Sequence, residues 1–201
     1  MTSVPTPISR VADLMASFDP IWSLCGGWAV DAWIGHQTRE HEDVDIAVFD
    51  DDQRAIFDQL RGWKLIAHDN LVAGDSSEVW NGRPLEPPAH IHAESHNGFN
   101  LEVLLNERSN GNWVLSREPF LTVPVARCVE PSDWGLPTLV PELLLYFKAT
   151  EYFGEEGYDR PHDELDFFTL LDRLTESPRI WLRDAVSLVH PSHPWLDRFS
   201  I

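Results

Sequence analysis

Cysteine is scarce in this 201-residue chain, which has Cys25 and Cys128 alone. Two thiols cannot build a disulfide framework, so buried, reduced cysteines and a cytoplasmic protein are expected. Lysine is equally scarce: Lys64 and Lys148 are the full complement. Lys plus Arg number 15 against 33 Asp plus Glu, for a net charge of −18. A nucleic-acid partner needs a basic surface, so this balance argues against one. It fits solubility alone, or an acidic cleft for a cationic ligand. No run of 18 apolar residues exists, so no transmembrane helix is predicted. The opening MTSVPTPISR lacks a basic segment followed by an apolar one and does not read as a signal peptide. There is no internal repeat and no low-complexity tract.

What is present is the material of a folded core: 43% hydrophobic residues and nine Trp, enough for one large domain or two small ones. Residues 7–18 have the spacing of an amphipathic helix. A strand is expected over 20–24, a helix over 27–34 ending near Gly35, a strand over 44–49 and a helix over 52–61. The acids Asp50, Asp51 and Asp52 are expected to cap that last helix. Further strands are expected at 63–68, 89–95, 99–105 and 113–115. Pro131–Pro137 reads as a junction, after which the period becomes helical, over 141–153, 162–173 and 180–189. The expected architecture is an α/β lobe over residues 1–136 and a small helical lobe over 137–201, with a cleft between them.

Residues 25–49 carry the strongest chemical signal. Gly26-Gly27 stand between a short apolar run and a helical pattern. Glycines at a helix N-terminus allow phosphate to approach the backbone; a plain tight turn is the simpler reading. Asp43 and Asp45 lie two apart in a strand pattern, so both carboxylates leave one face. Side by side they repel unless a cation lies between them, and hard oxygen donors suit Mg²⁺.

The string GGWAVDAWIGHQTREHEDVDIAV resembles the DNA polymerase β-like nucleotidyltransferases. More narrowly, it is similar to the aminoglycoside (2''-type) and lincosamide nucleotidyltransferases. The resemblance implies a mixed sheet in the first lobe, Mg²⁺ on Asp43 and Asp45, and transfer of AMP from ATP, or NMP from another NTP, to a hydroxyl of a small acceptor such as an aminoglycoside. Antibiotic resistance is the role that goes with it. It also implies a further acid on a later strand, and Glu102 in NLEVLLN is the residue that fits, as third metal ligand or as base. Gly26 and Gly27 would approach the phosphates. Arg39 could hold a phosphate or pair with Asp31, and His41 could orient an aspartate. Lys148 follows a Pro-Glu-plus-apolar run and is implied as a triphosphate contact, with ion pairing to Glu151 as the alternative. Arg160, Asp163 and Asp166 match a string that could position Lys148 or the acceptor, or serve as helix caps. Other readings are a toxin-like nucleotidyltransferase acting on a protein or tRNA, and a nucleotide-binding regulator without turnover.

One constellation competes. His90, His92 and Glu94 share a face of one strand at a spacing seen in zinc sites. The spacing fixes no third histidine, although His96 is near. A polar outer face on a half-buried strand is the plainer reading.

Overall fold

A computed structural model describes residues 3–69, 76–117, 119–150 and 161–199. Helix α1 (Thr6–Met15) buries Ile8, Val11 and Met15, the stripe its periodicity predicts. Strand β1 (Trp22–Leu24) leads at once into helix α2 (Gly26–Ile34), which Gly35 ends in the left-handed region at φ 79°. Strand β2 (Val44–Phe49) has the bounds expected from its apolar run. Asp50–Asp52 form a 3₁₀ turn before helix α3 (Gln53–Gln59). No side chain caps α3; instead Arg108 takes Asp51 and Asp52 at 2.9 and 3.1 Å and lies 4.8 Å over the ring of Phe49. Asp51 and Asp52 are therefore paired from outside their own turn rather than as caps, while Asp50 accepts from the backbone amide of Asp51 within it.

Strands β3 (Lys64–Asp69), β4 (Ser76–Val79), β5 (Ala89–Glu94) and β6 (Asn100–Asn106) follow. A small antiparallel sheet comprises β7 (Arg108–Ser109), β8 (Asn112–Arg117) and β9 (Phe120–Pro124). Two short strands, β10 (Val129–Pro131) and β11 (Pro137–Leu139), complete the main sheet. Its order is β10-β11-β1-β2-β6-β5-β3-β4, and it is mixed: β2 runs parallel to β6 and β1 parallel to β11, with the other pairs antiparallel. The central strand β2 is almost wholly buried, as its unbroken apolar run requires, while β6 alternates and buries Leu101, Val103 and Leu105.

The stretch 131–137, expected as a junction, is the turn between β10 and β11, and β11 is held to β1 at Leu24↔Thr138. The indole of Trp33 donates to the Leu139 carbonyl at 2.8 Å. The helices α4 (Pro141–Thr150), α5 (Pro161–Leu171) and α6 (Glu176–Val189) begin directly after it. They pack through Phe167, which stacks on Trp195 at 4.3 Å, and Tyr146, whose ring lies 6.0 Å from Trp181. Trp113 joins the small sheet to β2 and α4, 5.1 Å from Phe49 and 5.9 Å from Phe147. Both cysteines are buried, and burial pushes the Cys128 thiol up to about 12. Among the described residues, no helix is long and apolar enough to cross a membrane. Glu151 and Arg160 lie outside the described residues.

Candidate active site

Parallel pairing of β2 with β6 sets Asp45 directly beside Glu102. Asp43 lies just ahead of β2, and one carboxylate oxygen from each of the three falls within 4.8 Å of the others. Burial raises the Asp45 carboxyl well above its ordinary range, and the charges of Asp43 and Glu102 push it the same way; Lys148 opposes them. A crowded set of hard oxygens in a partly dry site is the donor set of a divalent cation such as Mg²⁺, which would relieve that repulsion. Donor chemistry and spacing both fit the ion.

The glycine pair is explained by what lies against it. Gly26 has φ 63°, a conformation costly for any other residue, and a Cβ there would overlap the Asp45 carboxylate. A Cβ on Gly27 would come within 2.6 Å of Arg39 Nη2 and of His41 Nδ1. The N-terminal end of α2 is thus opened to side chains on two sides. Gly26→Ala is expected to displace Asp45, weakening divalent-metal binding at least tenfold and destabilising the fold by about 1–3 kcal/mol. Paired denaturant melts and Mg²⁺ titrations check this; unaltered metal affinity would mean that Asp45 does not depend on the glycine.

The hub of the connecting loop is Asp31, fully buried on α2. It accepts from the Thr38 amide at 3.2 Å, from Thr38 Oγ1 at 2.5 Å and from His41 Nε2 at 2.6 Å. Arg39 can only donate, and it does so to His41 Nδ1 at 3.0 Å, which leaves the ring proton on Nε2 toward Asp31. Trp28 lies 4.4 Å from the His41 ring. His41 therefore serves Asp31 rather than Asp43 or Asp45. Arg39 pairs not with Asp31 but with Asp166, at 3.6 Å. Sequence reasoning missed Asp31 as an organising group. Its signal was an acid inside the apolar helix AVDAWI, where only a paired carboxylate is affordable.

Lys148 projects from α4 to α5. Its ammonium lies 2.8 Å from Asp163 Oδ1 and 2.8 Å from Asp166 Oδ2. Burial works against the charged amine, but the two carboxylates outweigh it and raise its pKa. Asp163 and Asp166, both 2% exposed, thus hold Lys148 from one helix face. Asp166 bridges Lys148 to Arg39 and so links the helices to the loop before β2. These groups line a cleft of about 840 Å³, which takes in Gly26, Gly27, Asp43, Asp45, Glu102, Lys148 and Asp163 and has an apolar wall of Trp113, Leu144 and Phe147.

The histidines of β5 lie at the far side of Glu102. His92 Nε2 is 3.2 Å and His90 Nε2 3.5 Å from Glu102 Oε1. Glu94, which their spacing suggested as partner, is turned to Lys64 at 3.2 Å. The third histidine is His68, brought in by β3.

Residues 7–71 match the model of a family described as aminoglycoside-2''-adenylyltransferase. No curated protein matches by sequence. Among solved structures, the chain is similar to the lincosamide antibiotic adenylyltransferase LnuA in its lincomycin-bound form, at 20% identity and TM-score 0.56, over 85% of this chain and 98% of that one. It is similar to the antibiotic-resistance factor ANT(2'')-Ia in solution, at 14% identity and TM-score 0.59, over 90% of this chain and 89% of that one. It also resembles ANT(2'')-Ia in complex with adenylyl-2''-tobramycin, at 16% identity and TM-score 0.54, over 90% and 96% of the two chains. The chain has the nucleotidyltransferase fold of these structures, and its residues 7–71 match the aminoglycoside-2''-adenylyltransferase family model.

Proposed function

We propose that this protein transfers a nucleoside monophosphate, AMP from ATP, to a hydroxyl of a small cationic acceptor of the aminoglycoside kind. The observation that carries this reading is the Asp45↔Glu102 register, which together with Asp43 makes a three-carboxylate set at the glycine-opened end of α2. Asp43, Asp45 and Glu102 would hold Mg²⁺, whose charge supplies neutralisation of the triphosphate. The α2 terminus is suited to phosphate oxygens, since its first amides have no partner within the helix. Lys148, aligned by Asp163 and Asp166, would contribute a positive charge to the same anion. Arg39 and His41, fixed by Asp166 and Asp31, would hold the loop that presents Asp43.

In the reaction, an acceptor oxygen attacks the α-phosphorus in line. The new O–P bond forms as the bond to pyrophosphate breaks, and the hydroxyl proton passes to a carboxylate. Positioning and electrostatics supply most of the acceleration. The acidic balance of the chain and the carboxylate-rich cleft favour a cationic acceptor.

The test is incubation with each of the four NTPs, Mg²⁺ and a panel of aminoglycosides and lincosamides, read by mass spectrometry and pyrophosphate release. One acceptor should gain one NMP with an equal yield of pyrophosphate. Absence of both products across the panel would overturn the reading.

A further inference from the structure

We propose that His68, His90 and His92 form a second metal site, for a borderline transition metal of the Zn²⁺ class, which shares Glu102 with the carboxylate set. No two of these histidines adjoin in sequence; the antiparallel pairing of β3 with β5 brings them together. His68 and His90 are direct cross-strand partners, and their rings stack at 4.8 Å and 4°. His92 is two residues along β5 on the same face, with its ring 4.4 Å from that of His68 and 5.1 Å from that of His90. One ring nitrogen from each lies within 4.8 Å of the others. Opposite His92 on β6 is Glu102, within 3.5 Å of both His90 and His92.

Three imidazoles and one carboxylate are a four-coordinate set with the nitrogen donors that Zn²⁺, Co²⁺ and Ni²⁺ prefer and Mg²⁺ does not. Bonds of about 2.0–2.1 Å bring tetrahedral donors to about 3.4 Å apart, so the rings must draw in by about an ångström. His92 is exposed and His68 and His90 half-buried, which leaves the side chains room to turn. A row of three histidines facing one acid is an unusual use of a sheet surface merely meant to be polar.

The two sets meet at one residue. Glu102 lines both the main cleft and a neighbouring cavity of about 330 Å³ that holds His68 and His92. A metal on the histidines would draw Glu102 away from Asp45. This consequence, inhibition of nucleotidyl transfer by Zn²⁺ in excess Mg²⁺, rests on the function proposed above; the site itself does not.

The experiment is a Co²⁺ titration of the metal-free full chain without nucleotide, followed by visible absorption and calorimetry. One Co²⁺ per chain should give the intense bands of four-coordinate geometry. His68→Ala and His92→Ala, made separately, should each weaken that binding at least about tenfold. Asp43→Asn should leave it within twofold, and His92→Ala should leave Mg²⁺ affinity unchanged. Weak six-coordinate absorption, or Co²⁺ affinity that falls with Asp43→Asn and ignores both histidine variants, overturns the site. Circular dichroism of each variant identifies one that misfolds, in which case the other histidine variant decides. A correct Co²⁺ titration with no transfer to any acceptor would sink the proposed function and leave this site standing.

Discussion

Asp45→Asn is expected to abolish transfer at every pH and, at the same time, to make the metal-free protein more stable. The amide has nearly the shape of the carboxylate, so β2 keeps its packing between β1 and β6. What is lost is one of three oxygens that together would hold the cation, and the electrostatic part of such sites is commonly the largest single contribution to rate. What is gained follows from sign. Burial, Asp43 and Glu102 raise the Asp45 pKa above its unfolded value. A folded state that holds its proton more tightly than the unfolded chain is penalised once pH exceeds the unfolded value of about 3.9, and fully so above the folded pKa. Removing the charge removes that penalty, so the variant should gain stability at neutral pH, and the gain should vanish as pH falls toward 4. In Mg²⁺ the order should reverse, because only the parent chain gains stability from binding. Denaturant melts in EDTA and in Mg²⁺, at pH 4 and pH 7.5, measure all of this. A variant less stable than the parent in EDTA at pH 7.5 would show that the acid set is not under strain from its own charge.

The companion variant Glu102→Gln separates two roles. If Glu102 acts mainly as base, metal and nucleotide still bind while the chemical step slows by roughly 10²–10⁴-fold. If it is a third ligand, Mg²⁺ affinity falls with it as in Asp45→Asn. Its position beside Asp45 in the parallel register, within the 4.8 Å oxygen cluster, favours the ligand.

Local patterns made much of the site readable before any coordinates. The apolar run Val44–Phe49 set the bounds of β2, and alternation in NLEVLLN turned Glu102 away from the buried Leu101 and Val103. Lys148 stood out as one of two lysines, in a strongly apolar helix, expected to meet a triphosphate or Glu151; its ammonium lies between Asp163 and Asp166. What stayed hidden depends on register between distant strands. His68 comes from a strand on the far side of β5 from Glu102, and nothing local in its surroundings marks it as a neighbour of either. A one-residue slip of β3 would turn its side chain to the other face. Strands β10 and β11, three residues each, are too short to show a period, and the prolines at 131 and 137 read as breaks although they sit where strands end and begin. For Arg39 the expected partners were a phosphate or Asp31, whereas α5 brings Asp166 to it from more than a hundred residues away.

Lys148→Met should destabilise the packing of α4 against α5 strongly. Lys148 is the cation that Asp163 and Asp166 share at 2.8 Å, and both side chains are 3% exposed. Removing one partner of a buried pair leaves charge without compensation, at a cost of about 3–5 kcal/mol. Arg39, 3.6 Å from Asp166, offsets part of it, so a loss near the lower end is expected, about 3 kcal/mol. Its dependence on pH follows from the raised pKa of Lys148. A raised lysine contributes stability that is fully present below the unfolded value of about 10.4 and is lost as pH climbs through the still higher folded value. The gap between parent and variant should therefore hold steady from pH 6 to 9 as far as the lysine is concerned, and close only in strong alkali. The double variant Lys148→Met/Asp166→Asn removes one charge of each sign and should recover at least half of the loss, since the pair is coupled. Function gives a second reading. If the ammonium also meets the triphosphate, the double variant should fold and still show a raised KM for NTP together with lowered kcat. A double variant that regains both stability and an unaltered KM would confine Lys148 to the architecture of the helices.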